Sequence, residues 1–397
     1  MKIAVVNCIP EEYNISSNLC VQLLCKGMIE NDHEVWLISP ESNQNHIYYC
    51  DDYTFDMERL HHIRYGELVV KSENSTSSQD NTNKIVRLLS SLYRKFDLFG
   101  KSIVNLRYCD TIINKLRSDN LNFDVVISTS DPKTSHLFLT KLYKSFDYKP
   151  YYIQYWGDPL TLDIARDTLT PKFIRKAIES QMLLPCDRIA YVSPLTLNEQ
   201  QEFFPSYAKK MVYSPTPCEE VIYESNKDNN RVVMGYFGSY NSSVRDIVPL
   251  YEAVKKNKDV LLYIVGDSDL VLESTENIKV IPRISASQLK AYYDECNVIV
   301  DLTNNRGAQI PAKIYRDAGT NREVLLLCDG EAGAEVKKCF EHFNRYTFCE
   351  NTEEKISKML DEYKNNGVPS REPLSAFIYN VVSEELLESC VQYNEKE

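Results

Sequence analysis

The chain has 397 residues, 43% of them hydrophobic, and a formal net charge of −12 at pH 7. At this length two domains of similar size are favoured over one continuous core, and the apolar content suffices for both. The acidic balance argues against broad nucleic-acid binding, because neutralising phosphates requires a basic field.

The beginning of the chain predicts neither secretion nor membrane insertion. Residues 1–6 form a strand-like apolar segment without a basic leader, and no apolar run approaches the about 18 residues that span a bilayer. The twelve cysteines are scattered without a CxxC pair, which is typical of reduced thiols. Only His61 and His62 are close together, so metal-ligand spacing is missing. We therefore expect a cytoplasmic protein with no metal and no cofactor.

Short apolar runs alternate with segments of helical period, which predicts βαβ units and mostly parallel sheets. In the first half the predicted strands are 2–6, 34–38, 124–128, 151–154, 188–192 and 211–213. The predicted helices between them are 16–31, 84–117, 132–145, 171–184 and 194–203.

A proline-containing polar stretch, residues 214–230, breaks this rhythm and predicts a linker between domain 1–213 and domain 231–370. The second series of predicted strands is 232–237, 260–265, 278–281, 298–302, 324–328 and 345–348. A last segment of helical period, within 371–397, is expected to cross back onto the first domain.

The helix predicted around 84–107 follows a low-complexity polar loop, 72–83. One face is apolar, while Arg87, Arg94 and Lys101 recur on the other. This is either a solvated face on a packed helix or a peripheral contact with anionic lipid or a lipid-diphosphate acceptor.

Two strand ends in the second half are suited to phosphate. Gly238 and Ser239 follow the strand VVMGYF, and a glycine there lets a phosphate approach the backbone. Arg245 is expected about one turn into the next helix, where its guanidinium reaches a diphosphate. Gly266 and Asp267 end the following strand, at the edge where open α/β sheets bind ligands. The alternative is an ordinary βα turn with a surface arginine.

The strongest local signal is NNRGAQIPAKIYRDAGT, residues 304–320. Pro311 is expected near the first turn of a helix, where its missing N–H costs little. The free N–H groups within residues 309–312, those of Gln309, Ile310 and Ala312, would then suit a diphosphate with Lys313 beside them. A routinely capped helix with a surface lysine is the equally weighted alternative.

Three strand ends of the first half are candidate acceptor contacts, and their residues are Ser130, Asp131, Trp156, Asp158 and Ser193. Trp156 offers a flat face to a sugar ring and Asp158 an acceptor for its hydroxyls. The competing interpretation makes Trp156 a core residue and Asp158 a turn or cap residue beside a proline.

Taken in order, these segments resemble the GT-B glycosyltransferases, particularly glycosyltransferase family 4 of bacterial surface-polysaccharide synthesis. The motifs are KGMIENDHEV, YWGDPL, CDRIAYVSPLT, YFGSY, IVGD, IPRISASQLKAYYDECNVIVDL and IPAKIYRDAG. The resemblance implies an α/β fold of two doubly wound Rossmann-like domains facing a central cleft. It also implies a nucleotide sugar on the C-terminal domain, a saccharide or lipid-linked acceptor on the N-terminal one, and no catalytic metal.

By position, the resemblance assigns Gly238, Ser239 and Arg245 to the phosphate turn. It assigns the loop with Arg283 and Ile284 to recognition of the base through backbone groups. The last group, which would lie beneath the diphosphate, is Gln309, Ile310, Pro311 and Lys313.

One position departs from that pattern. Relatives carry PxKxxE, whose glutamate holds the ribose hydroxyls, whereas PAKIYR places Arg316 there. Asp317 is adjacent but turned about 100° around the helix.

The resemblance implies transfer of a sugar, most simply from a UDP-sugar, with retention at the anomeric carbon. The expected catalytic residues are Asp158, Arg245 and Lys313, and Arg316 is included among the donor contacts. A catalytically silent GT-B subunit that binds or activates a partner transferase is the first alternative, and a nucleotide-sugar epimerase is the second.

Overall fold

The computed structural model describes residues 1–50, 57–66, 96–164, 168–224 and 231–394. The chain divides into two compact units. Unit 1 comprises Met1–Val192, Thr196–Ser214 and Ser383–Glu397, and unit 2 comprises Ser193–Leu195 and Pro215–Val382. No described helix is both long and apolar enough to cross a membrane.

Unit 1 contains a parallel sheet of seven described strands in the order β3-β2-β1-β4-β5-β6-β7. Their bounds are β1 Lys2–Val6, β2 Glu34–Pro40, β3 Leu60–Tyr65, β4 Val125–Thr129, β5 Tyr151–Trp156, β6 Arg188–Tyr191 and β7 Met211–Tyr213. The helices are α1 Ser16–Glu30, α2 Cys109–Ser118, α3 Thr134–Lys144, α4 Lys172–Leu183 and α5 Pro194–Phe203. Strand β4, VVIST, is mostly apolar and is buried along its whole length, which is typical of a strand covered on both faces.

The long helix predicted over 84–117 is wrong in its middle. Residues Gly100–Tyr108 form a 3-10 helix, and helix α2 follows it from Cys109. Gly100 has a φ of 64°, and the Asp97 carboxylate accepts hydrogen bonds from the backbone N–H groups of Phe99 and Gly100. This side-chain turn stops a helix from running through. The predicted loop at 72–83, together with Arg87 and Arg94, lies outside the described residues.

Unit 2 contains a parallel sheet of six described strands in the order β10-β9-β8-β11-β12-β13. Their bounds are β8 Val233–Phe237, β9 Leu261–Val265, β10 Ile278–Ile281, β11 Val298–Leu302, β12 Glu323–Cys328 and β13 Tyr346–Glu350. The helices are α6 Val248–Lys256, α7 Ala286–Glu295, α8 Ala312–Ala318, α9 Gly330–Phe340 and α10 Glu353–Asn366, followed by α11 Tyr379–Asn394. Unit 1 includes the residues of α11 from Ser383 onward.

The strand order of unit 2 reverses between β8 and β11, which are hydrogen-bonded neighbours. The chain leaves these two strands in opposite directions across the sheet, so the loops after them diverge and open a crevice at their carboxyl ends. The phosphate-binding turn predicted at 238 and the segment predicted at 304–320 are the loops that follow these two strands.

Arg345 fixes the segment that follows α8. Its side chain is 3% exposed and donates hydrogen bonds from Nε to the carbonyl of Ala318 and from Nη2 to those of Asp317, Thr320 and Arg322. The last carbonyls of a helix have no hydrogen-bond donors within the helix, and the Arg345 guanidinium supplies donors to them.

We predict that Arg345→Met lowers the free energy of unfolding of unit 2 by about 3 kcal/mol or more, because several buried carbonyls lose their donor together. Urea denaturation monitored by far-UV circular dichroism measures the free energy of unfolding. Arg231→Met is the matched control, since Arg231 is exposed although it also donates to a carbonyl, that of Asp259. Equal effects of the two substitutions would contradict the role given to Arg345.

Candidate functional site

Two glycines shape the crevice of unit 2. The N–H of Gly238 donates to the carbonyl of Val265, and the N–H of Gly266 donates to that of Ile281. Gly238 has a φ of 143° and Gly266 a φ of 153°, values that L-residues rarely adopt. A Cβ on Gly266 would fall 2.2 Å from the carbonyl oxygen of Gly238. Only glycine therefore lets these two turns pack against each other.

Lys313 is the buried cation of this crevice. Its side chain is 9% exposed, and its Nζ lies 3.2 Å from the centroid of the Tyr236 ring and 3.8 Å from Oδ1 of Asp301. A Cβ placed on Gly238 would be 4.0 Å from the same Nζ. The ammonium makes no hydrogen bond to the described residues. The structure thus brings Gly238, Gly266 and Lys313 together.

Asp301, on β11, is a member of the site that sequence reasoning missed. It is fully buried, and neither of its carboxylate oxygens has a hydrogen-bond partner among the described residues. Burial raises the pKa of Asp301, and nearby Asp317 raises it further, while Lys313 opposes the shift. Burial likewise lowers the pKa of Lys313, which Asp301 partly offsets. A single aspartate inside the apolar strand VIVDL was the available signal.

The sequence predicted Arg245 one turn into a helix, and this prediction is wrong. Helix α6 begins at Val248, and the N–H groups of Val244 and Arg245 both donate to the carbonyl of Asn241, in a tight turn before it. The reason is that NSSVRD forms local turn hydrogen bonds that compete with helix. The half-buried guanidinium of Arg245 donates from Nη1 to the Ser239 carbonyl.

A short chain of hydrogen bonds joins the loops after β8 and β11. Arg245 Nε donates to Oδ1 of Asn304 at 3.0 Å, and Asn304 Nδ2 donates to the carbonyl of Gln309 at 2.8 Å. Gln309 and Ile310 are 7% and 6% exposed. The loop predicted to lie beneath a diphosphate is therefore held against Arg245.

Pro311 lies at the start of α8, near the first turn as predicted. Pro311 occupies the N-cap with extended backbone, so the first helical residue is Ala312. The helix is only seven residues long, which limits the partial charge that its own dipole can offer an anion. The positive charge of the site therefore comes mainly from Lys313 and Arg245.

Arg316 is held by neighbouring side chains. Its Nε donates to Oδ1 of Asp317 at 3.0 Å and its Nη2 to the Tyr293 hydroxyl at 2.6 Å, while Tyr293 donates to Asp317 at 3.0 Å. About a third of the Arg316 side chain is exposed, whereas Asp317 is buried. Asp317 is thus turned to Arg316 and Tyr293. A glutamate at position 316 would set a second carboxylate against it.

The predicted base-recognition loop lies at the exposed margin of unit 2. Arg283 Nε donates to Oδ2 of Asp267 at 2.7 Å, and both side chains are more than a third exposed. Such an exposed pair contributes at most about 1 kcal/mol to stability. Ile284 is half-buried, and Ser285 begins α7 with a capping box formed with Gln288.

In unit 1, Lys133 joins the loops that follow β4 and β5, and sequence reasoning missed it. Its ammonium contacts Oδ1 of Asp131 at 2.8 Å and Oδ2 of Asp163 at 3.0 Å, with the lysine side chain 2% exposed. Half-buried Asp158 also interacts with this ammonium and raises its pKa. Ser130 Oγ accepts the N–H of Gly157 at 3.1 Å, which ties the same two loops.

Two predicted acceptor contacts are not available in this structure. Trp156 is fully buried, its ring stacked on His136 with centroids 4.0 Å apart and its Nε1 donating to Gln154. The prediction of a sugar platform is wrong for Trp156, which is a core residue. Ser193 is also buried, and its Oγ donates to the carbonyl of Ala308 at 2.6 Å. Its hydroxyl is therefore committed within the protein.

Solved structures of other proteins share this architecture. The catalytic domain of starch synthase IV from Arabidopsis thaliana, bound to ADP and acarbose, superposes with a TM-score of 0.59 at 9% identity, covering 99% of this chain and 98% of that one. The Anabaena protein HepE, in complex with UDP and glucose, gives 0.55 at 11% identity, covering 100% and 98%. This chain has the GT-B fold.

A UDP-N-acetylglucosamine 2-epimerase shares the fold too, with a TM-score of 0.53 at 10% identity, covering 100% of this chain and 98% of that one. The fold alone therefore does not decide the reaction. No family model and no curated protein sequence matches the chain. Within the described residues, no cluster of three His, Cys, Asp or Glu side chains is arranged to hold a metal ion.

We predict that Gly266→Ala lowers the free energy of unfolding by about 2 to 4 kcal/mol, because a Cβ would meet the Gly238 carbonyl and the backbone would be strained. Gly330→Ala is the control: Gly330 has a φ of 54° but nothing within 4 Å of a Cβ, so only strain of about 1 kcal/mol is expected. Thermal melts of both variants make the comparison. Similar losses for the two would show that contact with Gly238 is unimportant.

Proposed function

We propose that this protein is a cytoplasmic glycosyltransferase that moves a sugar from a nucleoside diphosphate sugar, most simply a UDP-sugar, to a saccharide or lipid-linked saccharide acceptor. Retention of configuration, independence of metal and a place in cell-surface polysaccharide synthesis belong to this proposal. The observation that carries it is the buried Lys313 ammonium, which has no hydrogen-bond partner among the described residues beside the Gly238 turn. The nucleoside diphosphates in HepE and starch synthase IV support it.

The charges of the crevice favour an anion. Arg316 and Asp317 neutralise each other through two hydrogen bonds, which leaves Lys313 and Arg245 against the single carboxylate of Asp301. The net charge of Lys313, Arg245 and Asp301 is positive when all three side chains are ionised. A diphosphate placed at the Gly238 turn supplies the acceptors that the Lys313 ammonium lacks, and such charge-assisted hydrogen bonds are strong in a buried site.

The same arrangement fits the chemistry of sugar transfer. Negative charge grows on the departing diphosphate as the glycosidic bond to it breaks. Lys313 is fixed between the Tyr236 ring and Asp301, and Arg245 is fixed by Ser239 and Asn304, so both cations are in place before the reaction begins. Charges that need no reorganisation stabilise a transition state most effectively.

We place the acceptor at the carboxyl ends of β4 and β5 in unit 1. Asp131 remains half-exposed although it pairs with Lys133, and Asp158 is half-buried near the same ammonium. Carboxylates of this kind accept hydrogen bonds from sugar hydroxyls. Lys133 would keep them close together by offsetting their mutual repulsion.

A specific observation favours a second candidate, the catalytically silent subunit that binds or activates a partner transferase. Arg316 stands where the resemblance places a ribose-binding glutamate, and its guanidinium is engaged by Asp317 and Tyr293. Because a UDP-N-acetylglucosamine 2-epimerase has a similar fold, nucleotide-sugar epimerisation is a further alternative. Release of UDP from a UDP-sugar by the purified protein favours transfer, whereas UDP binding without turnover favours the silent subunit.

We predict that Lys313→Met weakens UDP binding by roughly 10- to 150-fold, the equivalent of losing one charged hydrogen-bond partner. Burial lowers the pKa of Lys313 to about 7, so the wild-type affinity should fall as the pH rises above 7 and the ammonium loses its proton. The Met variant should keep only the weaker pH dependence that comes from ionisation of the neighbouring Asp301. Titration calorimetry at several pH values measures both effects.

Lys338→Met is the matched control for this experiment, because Lys338 is 66% exposed on α9 of the same unit and should not affect UDP binding. Unchanged UDP affinity in Lys313→Met would remove Lys313 from the site. Failure of the wild-type protein to bind any nucleotide would refute the proposed function itself.

We predict that Asp158→Asn slows turnover of the donor on the order of 100-fold, because it removes charge from the group that orients a hydroxyl or stabilises the anomeric carbon. UDP affinity should stay unchanged, since the diphosphate contacts lie in unit 2. Asp110→Asn is the control, with a side chain 85% exposed in the same unit. A parallel loss of thermal stability and UDP affinity would identify Asp158 as a structural turn residue.

A further inference from the structure

Helix α4 of unit 1 presents large apolar side chains to solvent. Phe173 is 73% exposed and Ile174 is 39% exposed in its first turn, and Leu184, directly after its last residue, is 55% exposed. Positions 173, 177 and 184 fall on one side of a helix, with Ala177 between the two larger residues. A helix of a globular protein normally packs its apolar face against the core.

Two further apolar residues adjoin the beginning of α4. Leu169 is 51% exposed and Phe96 is 48% exposed. Thr170 Oγ1 donates to the carbonyl of Phe96 at 2.9 Å, which places the Phe96 segment against the start of the helix. We call the five residues Phe96, Leu169, Phe173, Ile174 and Leu184 the α4 surface.

The exposed charges of α4 are all positive. Its one carboxylate, Glu179, is fully buried and accepts the N–H groups of Leu160 and Thr161. Lys172 and Lys176 are exposed, and their ammonium groups lie 5.0 and 4.2 Å from the centroid of the Phe203 ring on α5. Glu199 of α5 interacts with Lys172 and with the neighbouring carboxylate of Glu202. The helix therefore combines exposed apolar side chains with exposed lysines, although the chain as a whole has a net charge of −12.

We propose that the α4 surface is a docking site for the interface of an anionic lipid bilayer. Phe and Leu side chains enter the headgroup boundary while lysine ammonium groups stay at the phosphates, which is the arrangement of membrane-surface helices. A protein partner fits less well, because lysine is depleted in the centres of protein interfaces. This contact differs from the one predicted on helix 84–107, and it does not depend on the proposed function.

The test is sedimentation of the full chain with vesicles of phosphatidylglycerol and phosphatidylcholine in equal parts, and with pure phosphatidylcholine vesicles. We expect Phe173→Glu to reduce binding to the anionic vesicles on the order of ten-fold or more, since it replaces an inserting ring by a carboxylate. Lys176→Glu should weaken binding to anionic vesicles several-fold and leave binding to phosphatidylcholine unchanged.

Val271→Glu is the matched control: Val271 is 95% exposed in unit 2, and its substitution adds the same negative charge far from α4 in sequence. Its binding should equal that of the wild type. Failure of the wild type to sediment with anionic vesicles overturns the proposal, and so does equal binding by Phe173→Glu and Val271→Glu.

Two outcomes would identify a different occupant or a different contact, and each overturns the proposal. Light scattering without vesicles that shows a dimer for the wild type and a monomer for Phe173→Glu would identify a second copy of the chain as the partner. Release by reversal of Arg87, Arg94 and Lys101 to glutamate, while Phe173→Glu still binds, would assign the membrane contact to the basic helix face.

Discussion

The Lys313 ammonium and the Asp301 carboxylate lie 3.8 Å apart in the interior of unit 2, and neither has a hydrogen bond to the described residues. Two opposite charges in such a site attract strongly, but without hydrogen bonds their attraction only partly offsets the cost of removing them from water. The Tyr236 ring, 3.2 Å from Nζ, contributes a cation–π contact. The arrangement is electrostatically incomplete, and an anion at the Gly238 turn would complete it.

The position of this pair follows from strand order. β8 and β11 are neighbours whose following loops diverge, so Gly238 and the loop leading to Lys313 meet at the carboxyl ends of the sheet. The Arg245–Asn304–Gln309 hydrogen bonds then hold the two loops together. The Gly238–Lys313 approach and the Arg245–Asn304 hydrogen bond link residues far apart in sequence, which explains why spacing along the chain does not reveal them.

Sequence patterns predicted most strands, because fully buried parallel strands such as β4 and β11 consist mostly of apolar residues. Strand β3, LHHIRY, was missed because it is a polar strand at the edge of the described sheet, with only Leu60, Ile63 and Tyr65 buried. The candidate donor residues Gly238, Gly266 and Gln309 were proposed because they follow strands, and the structure places them after β8, β9 and β11. Asp301 and Lys133 were not, since the chemical role of a buried charge depends on partners such as Lys313 and Asp163 that only the fold brings near. The prediction that Trp156 contacts a sugar was wrong for a related reason, because a residue at a strand end can still point into the core.

Helix α8 has too few residues to be stable by itself, and helices of this length form in proteins only through tertiary contacts. Here those contacts are specific. Arg345 binds the carbonyls at its end, the Tyr346 hydroxyl donates to the carbonyl of Ile314, and Asp317 is held by Tyr293. Lys313 therefore projects from a helix that is fixed along its length before any ligand arrives. A cation held in this way loses little conformational entropy on binding an anion, so more of its interaction energy would remain for the departing diphosphate of the proposed reaction.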